Sequence, residues 1–231
     1  MIFILKFIFD TLPSTNTYAK ENLSSISIPS LIIANHQTDG RGRRGNSFFS
    51  PKGTGLYMTL VFEEKNNSDL LTPLAAVCVC EELEKLGANP KIKWVNDIFI
   101  DSRKICGILT ERQILNDKAY IILGIGINIS TKEFPEDLAI AGSLNINCDK
   151  DLLAENISDK ILGYVEKYDV SDIIEKYRCR LFIIGKDVSY FKNNIRYYGK
   201  VKDINPQCNL IIKLPDGNED ILSSGEISII L

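Results

Sequence analysis

Hydrophobic residues recur along this chain with two different periods, and their order predicts a mixed α+β fold. Apolar runs rich in β-branched and aromatic residues predict strands, whereas apolar positions three and four apart predict helices. Strands are predicted over residues 2–9, 31–34, 56–62, 91–94, 98–100, 105–115 and 119–129. Helices are predicted from Ser14 through Leu23, from Thr72 to Gly87, and over residues 151–168 and 171–180. We therefore expect a mixed or antiparallel sheet flanked by helices.

The end of the chain has a different pattern. Short strands are predicted over residues 186–190, 195–203, 210–214 and 219–222, with turn residues between them. Short strands separated by frequent turns are typical of a small β-barrel. We place a domain boundary near Leu181, so that residues 1–181 form the main domain and residues 182–231 the barrel.

The segment from Gly40 to Gly55 contains too many glycines for a helix or strand, so a long exposed loop is predicted there. Its first six residues read Gly-Arg-Gly-Arg-Arg-Gly, which matches a dinucleotide-binding pattern letter by letter. That pattern requires a helix that starts among the glycines, but here the loop leads into a strand. Arg41, Arg43 and Arg44 are suited instead to hold an anion such as phosphate or carboxylate. Taken alone, such a run is more often a solvated basic turn than an anion-binding site.

Composition argues against several functions. A single histidine, His36, weakens every histidine-based metal site and Ser-His-Asp triad. Six cysteines without a C-x-x-C pair indicate buried, reduced thiols rather than disulfides or a zinc site. The net charge of −3 gives no general attraction for nucleic acid. The apolar runs fall short of the ~20 residues that cross a bilayer, and the N-terminus lacks secretory-signal features, so we expect a cytoplasmic protein.

Two further segments combine cations with apolar residues. Residues 93–97 read Lys-Trp-Val-Asn-Asp, and residues 104–109 read Lys-Ile-Cys-Gly-Ile-Leu. Each is weak evidence by itself, because Asp97 is compatible with a turn cap and Lys104 with an ordinary solvated lysine.

Together with three other motifs, these segments resemble the ordered motifs of the biotin protein ligases. The other motifs are Ser14-Thr15-Asn16, the Gly40 to Gly45 run with Ser50-Pro51-Lys52-Gly53, and Gly124-Ile-Gly126-Ile-Asn128. We call residues 40–49 the arginine loop. Weaker similarities follow at residues 141–144 and 225–228. The resemblance implies a class II synthetase-like catalytic domain followed by an SH3-like domain. Phe48 stands where many members carry tryptophan, and Val95 where proline is usual.

The resemblance also implies a reaction. Biotin protein ligases activate biotin with ATP as biotinyl-5′-AMP, release pyrophosphate, and pass biotin to a lysine of a biotin carboxyl carrier protein. The implied catalytic residues are Lys104, Arg41 and Arg43. The implied biotin-binding residues are Ser14, Thr15, Gln37, Gly40, Arg41, Trp94, Lys104 and Gly107. The implied ATP- and adenylate-binding residues are Arg41, Arg43, Arg44, Phe48, Asn96, Asp97 and Asn128. Mg²⁺ accompanies ATP in this family, with Asp97 as a candidate ligand.

Three alternatives stay open at this stage. A lipoate ligase or octanoyltransferase shares the fold, but the arginine loop and Ser14-Thr15-Asn16 favour biotin. A biotin-responsive DNA-binding repressor needs a helix-turn-helix before the first strand, which we do not expect in this acidic chain. A catalytically inactive binding module is disfavoured by the presence of Arg41, Arg43 and Lys104. The oligomeric state is not predicted, and a homodimer is one option.

Overall fold

The computed structural model describes residues 3–65, 68–167, 170–225 and 227–229, and a seven-stranded sheet forms the centre of the main domain. The strands are β1 (Leu5–Phe9), β2 (Ser30–Ala34), β3 (Gly55–Glu63), β4 (Lys91–Lys93), β5 (Asp97–Ile100), β6 (Arg103–Leu115) and β7 (Lys118–Asn128). Their order across the sheet is β1-β2-β3-β7-β6-β5-β4. β1 and β2 run parallel, and the other neighbouring pairs are antiparallel. The predicted mixed sheet is therefore confirmed.

Four α-helices cover the two faces of this sheet. They are α1 (Thr15–Glu21), α2 (Leu71–Lys85), α3 (Lys150–Lys167) and α4 (Val170–Arg180). α1 packs on β3 and β7, whereas α2 contacts β6, α3 and α4 on the opposite face. Ser14 caps α1, since its hydroxyl accepts a hydrogen bond from the backbone amide of Thr17. The two faces accordingly carry two separate hydrophobic clusters, the larger one on the α2 side.

Tight turns join the long antiparallel strands where the sequence predicted them. Asp101 and Ser102 between β5 and β6, and Asn116 and Asp117 between β6 and β7, all have positive φ. Two consecutive residues with positive φ give the turn that best matches the twist of a two-residue hairpin. Asn and Asp tolerate this conformation better than most residues, which explains their presence here.

The C-terminal segment forms a second sheet of five antiparallel strands. They are β8 (Asp187–Lys192), β9 (Ile195–Ile204), β10 (Leu210–Lys213), β11 (Glu219–Leu222) and β12 (Ile227–Ile229), in the order β11-β10-β9-β8-β12. The strand patterning predicted for this segment is confirmed, but β12 was not predicted. Its three residues are too few for a recognisable alternation of polar and apolar positions.

The two sheets are joined by specific contacts and by one hydrophobic cluster that includes residues of both. Trp94 Nε1 donates a hydrogen bond to the carbonyl oxygen of Cys208 at 2.8 Å. Arg178 Nε donates to Asp203 Oδ1 at 2.9 Å. Leu181 forms a parallel bridge with Ile92 of the large sheet. The division into domains at residue 181 stays a prediction.

The cysteines match the sequence interpretation in part. All six are free, and Cys78, Cys80, Cys106 and Cys208 are buried. Burial raises the pKa of the Cys80 thiol to about 12, so this group stays protonated. Cys179, which was expected to be buried, is exposed on α4, where its thiol contacts Glu175. Within the described residues, no helix is both long and apolar enough to cross a membrane.

A network of ion pairs fastens α3 and α4 to α2. Lys160 Nζ lies 2.8 Å from a carboxylate oxygen of Glu81 and 2.8 Å from one of Glu82. Lys176 Nζ of α4 lies 3.1 Å from Glu81. Burial by itself raises the pKa values of Glu81 and Glu82, but the hydrogen bonds from lysine outweigh it, and both pKa values fall below 4.5. Glu82 is only 3% exposed, so its charge depends on Lys160 and on Lys85, whose Nζ also lies 2.8 Å from it.

Replacing Lys160 by methionine is therefore expected to lower the free energy of unfolding by about 1–3 kcal/mol near pH 7. Because the two pKa values are lowered in the folded state, this contribution is present above the ordinary value of 4.5 and is lost as the pH falls below it. Urea unfolding at about pH 7 and about pH 3 measures this dependence, and the difference between variant and wild type should shrink in acid. Lys118→Met removes an exposed pair with Glu63 and should cost less than about 0.5 kcal/mol. A Lys160→Met loss that does not change with pH would contradict the assignment.

Candidate active site

A cavity of about 300 Å³ opens on the face of the large sheet that α1 covers. Its walls are the N-terminus of α1, the arginine loop and the connection between β4 and β5. The C-terminal sheet contributes Ile227 and Ser228 of β12. Segments from distant parts of the chain, including both sheets, thus meet around a single cavity.

Glycines form the floor of this cavity. Gly107 on β6 pairs with Gly126 on β7, and Gly124 lies two residues away on the same face of the sheet. The ring of Phe48 lies against this floor, because a Cβ added at Gly126 would come within 2.5 Å of Phe48 Cε1. A side chain at Gly107 or Gly126 would occupy the space of this ring, and one at Gly124 would overlap the amide of Asn16. The floor is therefore suited to a flat or aromatic group.

Neutral polar side chains line one end of the cavity. The backbone amide of Thr15 donates to Gln37 Oε1 at 2.8 Å, and Gln37 Nε2 donates to Ser50 Oγ at 2.9 Å. The hydroxyl of Thr59 lies 2.8 Å from that of Thr15 and 2.6 Å from Asn16 Oδ1. These contacts fix the orientation of each side chain before any ligand is present. This end of the cavity can therefore recognise a neutral group that carries both donors and acceptors.

The other end of the cavity is cationic. Four positively charged side chains line it, namely Arg41, Arg43, Lys93 and Lys104. Among the described residues that line it, Asp97 is the only carboxylate. The local excess of positive charge contrasts with the net charge of −3 for the whole chain. An anionic ligand, or two of them, is the natural occupant.

Lys104 and Asp97 form an ion pair inside the cavity. The Lys104 amine lies 2.8 Å from Asp97 Oδ1, with 29% and 23% of the two side chains exposed. The contact satisfies the distance for an ion pair but not the geometry of a hydrogen bond, since Asp97 Oδ1 has no hydrogen-bond partner. The backbone of Lys104 is held by hydrogen bonds to Ile140 and Gly142. Lys104 therefore has a fixed backbone and a side chain that can turn towards an incoming anion.

The arginine loop is tied down at two points. Arg43 Nη1 donates to Asn96 Oδ1 at 3.1 Å, and Asn96 Nδ2 donates to the carbonyl of Ile108 at 2.9 Å. Phe49 contacts Phe134, with ring centroids 6.1 Å apart. The predicted long loop is confirmed, except that Arg43–Gly45 form a single 3-10 turn. The loop thus lies across the cavity with one arginine anchored inside it.

Comparison with known proteins places this geometry in a family. Residues 8–128 match the Biotin/lipoate A/B protein ligase family, and residues 187–229 match the Biotin protein ligase C terminal domain. The chain belongs to the biotin/lipoate A/B protein ligase family. Both the main sheet with its cavity and the small C-terminal sheet are accounted for by these matches.

Individual members of the family match nearly the whole chain. The bifunctional ligase/repressor BirA of Bacillus subtilis (strain 168) is 32% identical over 232 residues, which cover 93% of this chain and 71% of that protein. BirA of Escherichia coli (strain K12) is 27% identical, over 96% of this chain and 73% of that protein. A biotin protein ligase from Aquifex aeolicus, solved in complex with biotin and ATP, has a TM-score of 0.83 and 25% identity, with 98% of each chain covered.

The structure brings together most of the site residues that the family motifs implied. Those that line the cavity are Ser14, Thr15, Gln37, Arg41, Arg43, Phe48, Trp94, Asn96, Asp97, Lys104 and Gly107. Gly40, Arg44 and Asn128 do not line it. Gly40 leaves space for the backbone of Phe48, Arg44 is exposed with a φ of 55°, and Asn128 is 5% exposed with its Nδ2 bound to the carbonyl of Gly142.

Several lining residues were not assigned a role from the sequence. They include Asn16, Lys93, Gly124, Gly126, Ile227 and Ser228. Asn16 and Lys93 stand inside motifs that the family resemblance had already marked, so their neighbours carried a signal. Gly124 and Gly126 were visible as two glycines on one face of a strand. Ile227 and Ser228 had only a weak similarity, at residues 225–228, of which Glu226 lies outside the described residues.

Proposed function

We propose that this protein is an ATP-dependent biotin protein ligase. It forms biotinyl-5′-AMP from biotin and ATP, releases pyrophosphate, and transfers biotin to a lysine of a biotin carboxyl carrier protein domain. The observation that supports this most strongly is the division of one cavity into a neutral polar end and a cationic end above a common glycine floor. Biotin and ATP have the matching division of neutral and anionic groups.

The neutral end is suited to the ureido head of biotin. A ureido ring has one carbonyl acceptor and two N–H donors, and it carries no charge. Thr15, Gln37 and the hydroxyl of Ser14 offer both kinds of partner without introducing a charge. Trp94, which is 4% exposed, and Gly107 border the space for the apolar body of biotin.

The cationic end is suited to the two anions that must react. The carboxylate of biotin attacks the α-phosphorus of ATP, so two negatively charged groups have to come within bonding distance. Positioned cations offset their mutual repulsion, and they act more strongly in a site that excludes water. Lys104 reaches the carboxylate and the developing phosphate charge, while Arg41 and Arg43 hold the phosphates. Asp97 balances Lys104 until the substrates arrive.

The adenosine part of the adenylate is assigned to Phe48, Asn96 and Asn128, whereas Arg44, which is exposed and does not line the cavity, takes no part in it. Phe48 lies on the glycine floor, where an aromatic ring can stack on a base. Asn128 Oδ1 is buried and has no hydrogen-bond partner. A buried acceptor of this kind matches a donor such as the amino group of adenine. Asp97 is the carboxylate that would contact the magnesium bound to the phosphates of ATP, or would orient the incoming amine.

Transfer needs no covalent bond between biotin and the enzyme. The mixed anhydride of the adenylate stores the activation, and the neutral amine of the carrier lysine attacks its carbonyl, with AMP as the leaving group. The arginine loop closes over the adenylate and keeps water out until the lysine arrives. We propose that the reaction takes place in the cytoplasm, where ATP and the carboxylase carrier are available. The proposed reaction requires neither dimer formation nor nucleic-acid binding.

The family also contains lipoate ligases, so the choice of acid needs a direct test. Exchange of labelled pyrophosphate into ATP, with biotin, lipoate or octanoate supplied singly, reports which acid is activated. We expect exchange with biotin alone, because the polar end of the cavity recognises donors and acceptors that the other two head groups lack. Exchange supported by lipoate or octanoate but not by biotin would overturn the proposal.

A further inference from the structure

We propose that Glu111, which does not line the cavity, makes its polar end rich in acceptors and so selects a head group that brings N–H donors. The inference rests on the proposed function and concerns how the ureido ring of biotin is recognised. Glu111 is a positioning residue, because it acts through Asn16 rather than by touching the ligand.

A chain of contacts runs from the protein surface to the cavity. Lys20 Nζ lies 2.8 Å from Glu111 Oε1, and Asn16 Nδ2 donates to Glu111 Oε2 at 2.8 Å. Beyond Asn16, the chain continues through the hydroxyls of Thr59 and Thr15. The hydroxyl of Thr15 also lies 3.1 Å from Gln37 Oε1. The chain therefore links a lysine at the surface to the residues assigned to the ureido group.

The inner part of this chain is shielded from water. Thr59 is 0% exposed, Asn16 3% and Thr15 4%. The amide of Asn16 lies so close to Gly124 that a Cβ there would overlap it. Water cannot supply a missing donor or acceptor to such groups, so they must be satisfied by one another or by a ligand.

The charge of Glu111 fixes the orientation of Asn16. An ionised carboxylate has acceptors only, so the amide nitrogen of Asn16 must face Glu111 and its oxygen must face Thr59. The single proton of the Thr59 hydroxyl then goes to Asn16 Oδ1. The hydroxyl of Thr15 donates to Gln37 Oε1, so the contact between the Thr59 and Thr15 oxygens is left without a proton of its own.

A count of protons shows the consequence. Three close contacts join the oxygens of Asn16, Thr59, Thr15 and Gln37, but only the two hydroxyls supply protons to them. The wall is therefore short of one donor, at Thr15 Oγ, because Gln37 Oε1 already accepts from the backbone amide of Thr15. A ligand N–H offered to Thr15 relieves this shortage, whereas a head group with acceptors alone increases it. The two ureido N–H groups of biotin satisfy this requirement.

Glu111→Gln tests the idea because glutamine offers one oxygen to two donors. The charged Lys20 binds that oxygen, so the amide nitrogen of the introduced glutamine faces Asn16. The side-chain amide of Asn16 then turns over, so that its oxygen accepts from the glutamine and its nitrogen donates to Thr59. The wall then no longer needs a donor from the ligand. Removing the competing cation with Lys20→Met in the same chain frees the oxygen for Asn16 and restores the original orientation.

Steady-state pyrophosphate exchange measures KM for biotin and for ATP in wild type, Glu111→Gln, Lys20→Met and the double variant. We expect Glu111→Gln to raise KM for biotin about 10- to 100-fold with little change in KM for ATP. The double variant should recover most of the lost biotin affinity, so that its KM for biotin lies close to that of Lys20→Met. Preference for biotin over its cyclic carbonate analogue, in which oxygen replaces both ring N–H groups, should fall in Glu111→Gln and return in the double variant.

Glu63→Gln is the matched control, because it also removes a carboxylate from an ion pair near the end of the sheet but does not reach the cavity. An unchanged KM for biotin in Glu111→Gln, or no recovery in the double variant, would overturn the inference. Equal increases in both KM values would overturn it too, since they indicate general damage to the fold. If wild type itself shows no exchange with biotin, the proposed function fails rather than this inference. If Glu111→Gln folds poorly, the comparison of the double variant with Lys20→Met still decides the test.

Discussion

Lys104→Ala is expected to reduce biotin-dependent pyrophosphate exchange by about 10²- to 10³-fold, mainly through kcat. Lys104 is the cation that the proposal places between the carboxylate of biotin and the α-phosphate. Its removal leaves the two reacting anions without a shared positive charge, and it leaves Asp97 in the cavity without the amine that now lies 2.8 Å away. The variant thus loses the attraction between Lys104 and the two anions, and it gains repulsion between those anions and Asp97.

Lys91→Ala supplies the control for this loss. Lys91 begins β4, is exposed and does not line the cavity, so its replacement removes a lysine from the same region without touching the site. Equal loss in both variants would indicate a general effect of surface charge. An exchange rate for Lys104→Ala within about threefold of wild type would remove Lys104 from the assigned chemistry.

Arg43→Gly is expected to let the adenylate escape before it reaches a carrier. Arg43 is the loop arginine that the structure anchors inside the cavity, through its 3.1 Å hydrogen bond to Asn96. Without that anchor the arginine loop no longer closes the site, and water reaches the mixed anhydride. We expect the ratio of AMP produced to carrier biotinylated to rise about 10- to 100-fold, as measured by chromatography of AMP and mass spectrometry of the carrier.

Arg44→Gly is a closely matched control, since it changes the next residue in the same way. Arg44 is exposed and does not line the cavity, and its φ of 55° is one that glycine adopts without strain. Its ratio of AMP to product should stay near that of wild type. A similar leak from both variants would show that the loop acts through its flexibility rather than through the anchored arginine.

Much of the fold was predictable because its signals are local. The positive-φ turns at Asn116 and Asp117, the cap at Ser14 and the alternation along β6 and β7 each depend on a few consecutive residues. The arginine loop could likewise be recognised, since six adjacent residues carry its chemistry. Its role could not be decided from the local sequence. The loop matches a dinucleotide-binding pattern, but no α-helix starts among its glycines; the described residues there form only the 3-10 turn Arg43–Gly45.

The residues that escaped prediction owe their positions to tertiary contacts. Ile227 and Ser228 reach the cavity only because the C-terminal sheet docks on the main domain through contacts such as Trp94 with Cys208. Glu111 gave no signal either, because its importance comes from its separation of 95 residues from Asn16. No local pattern encodes such a pairing. Cys179 was placed in the core by its residue type, yet it lies on the solvent side of α4.

Mass spectrometry of a carrier protein tests the central claim most directly. The full chain is incubated with ATP, Mg²⁺, biotin and the carrier domain of a biotin-dependent carboxylase, and the carrier is then digested and its lysines are mapped. The account predicts one lysine that gains the mass of a biotinyl group, only when ATP and biotin are both present. An unmodified carrier, from an enzyme that binds biotin and ATP under the same conditions, would contradict it.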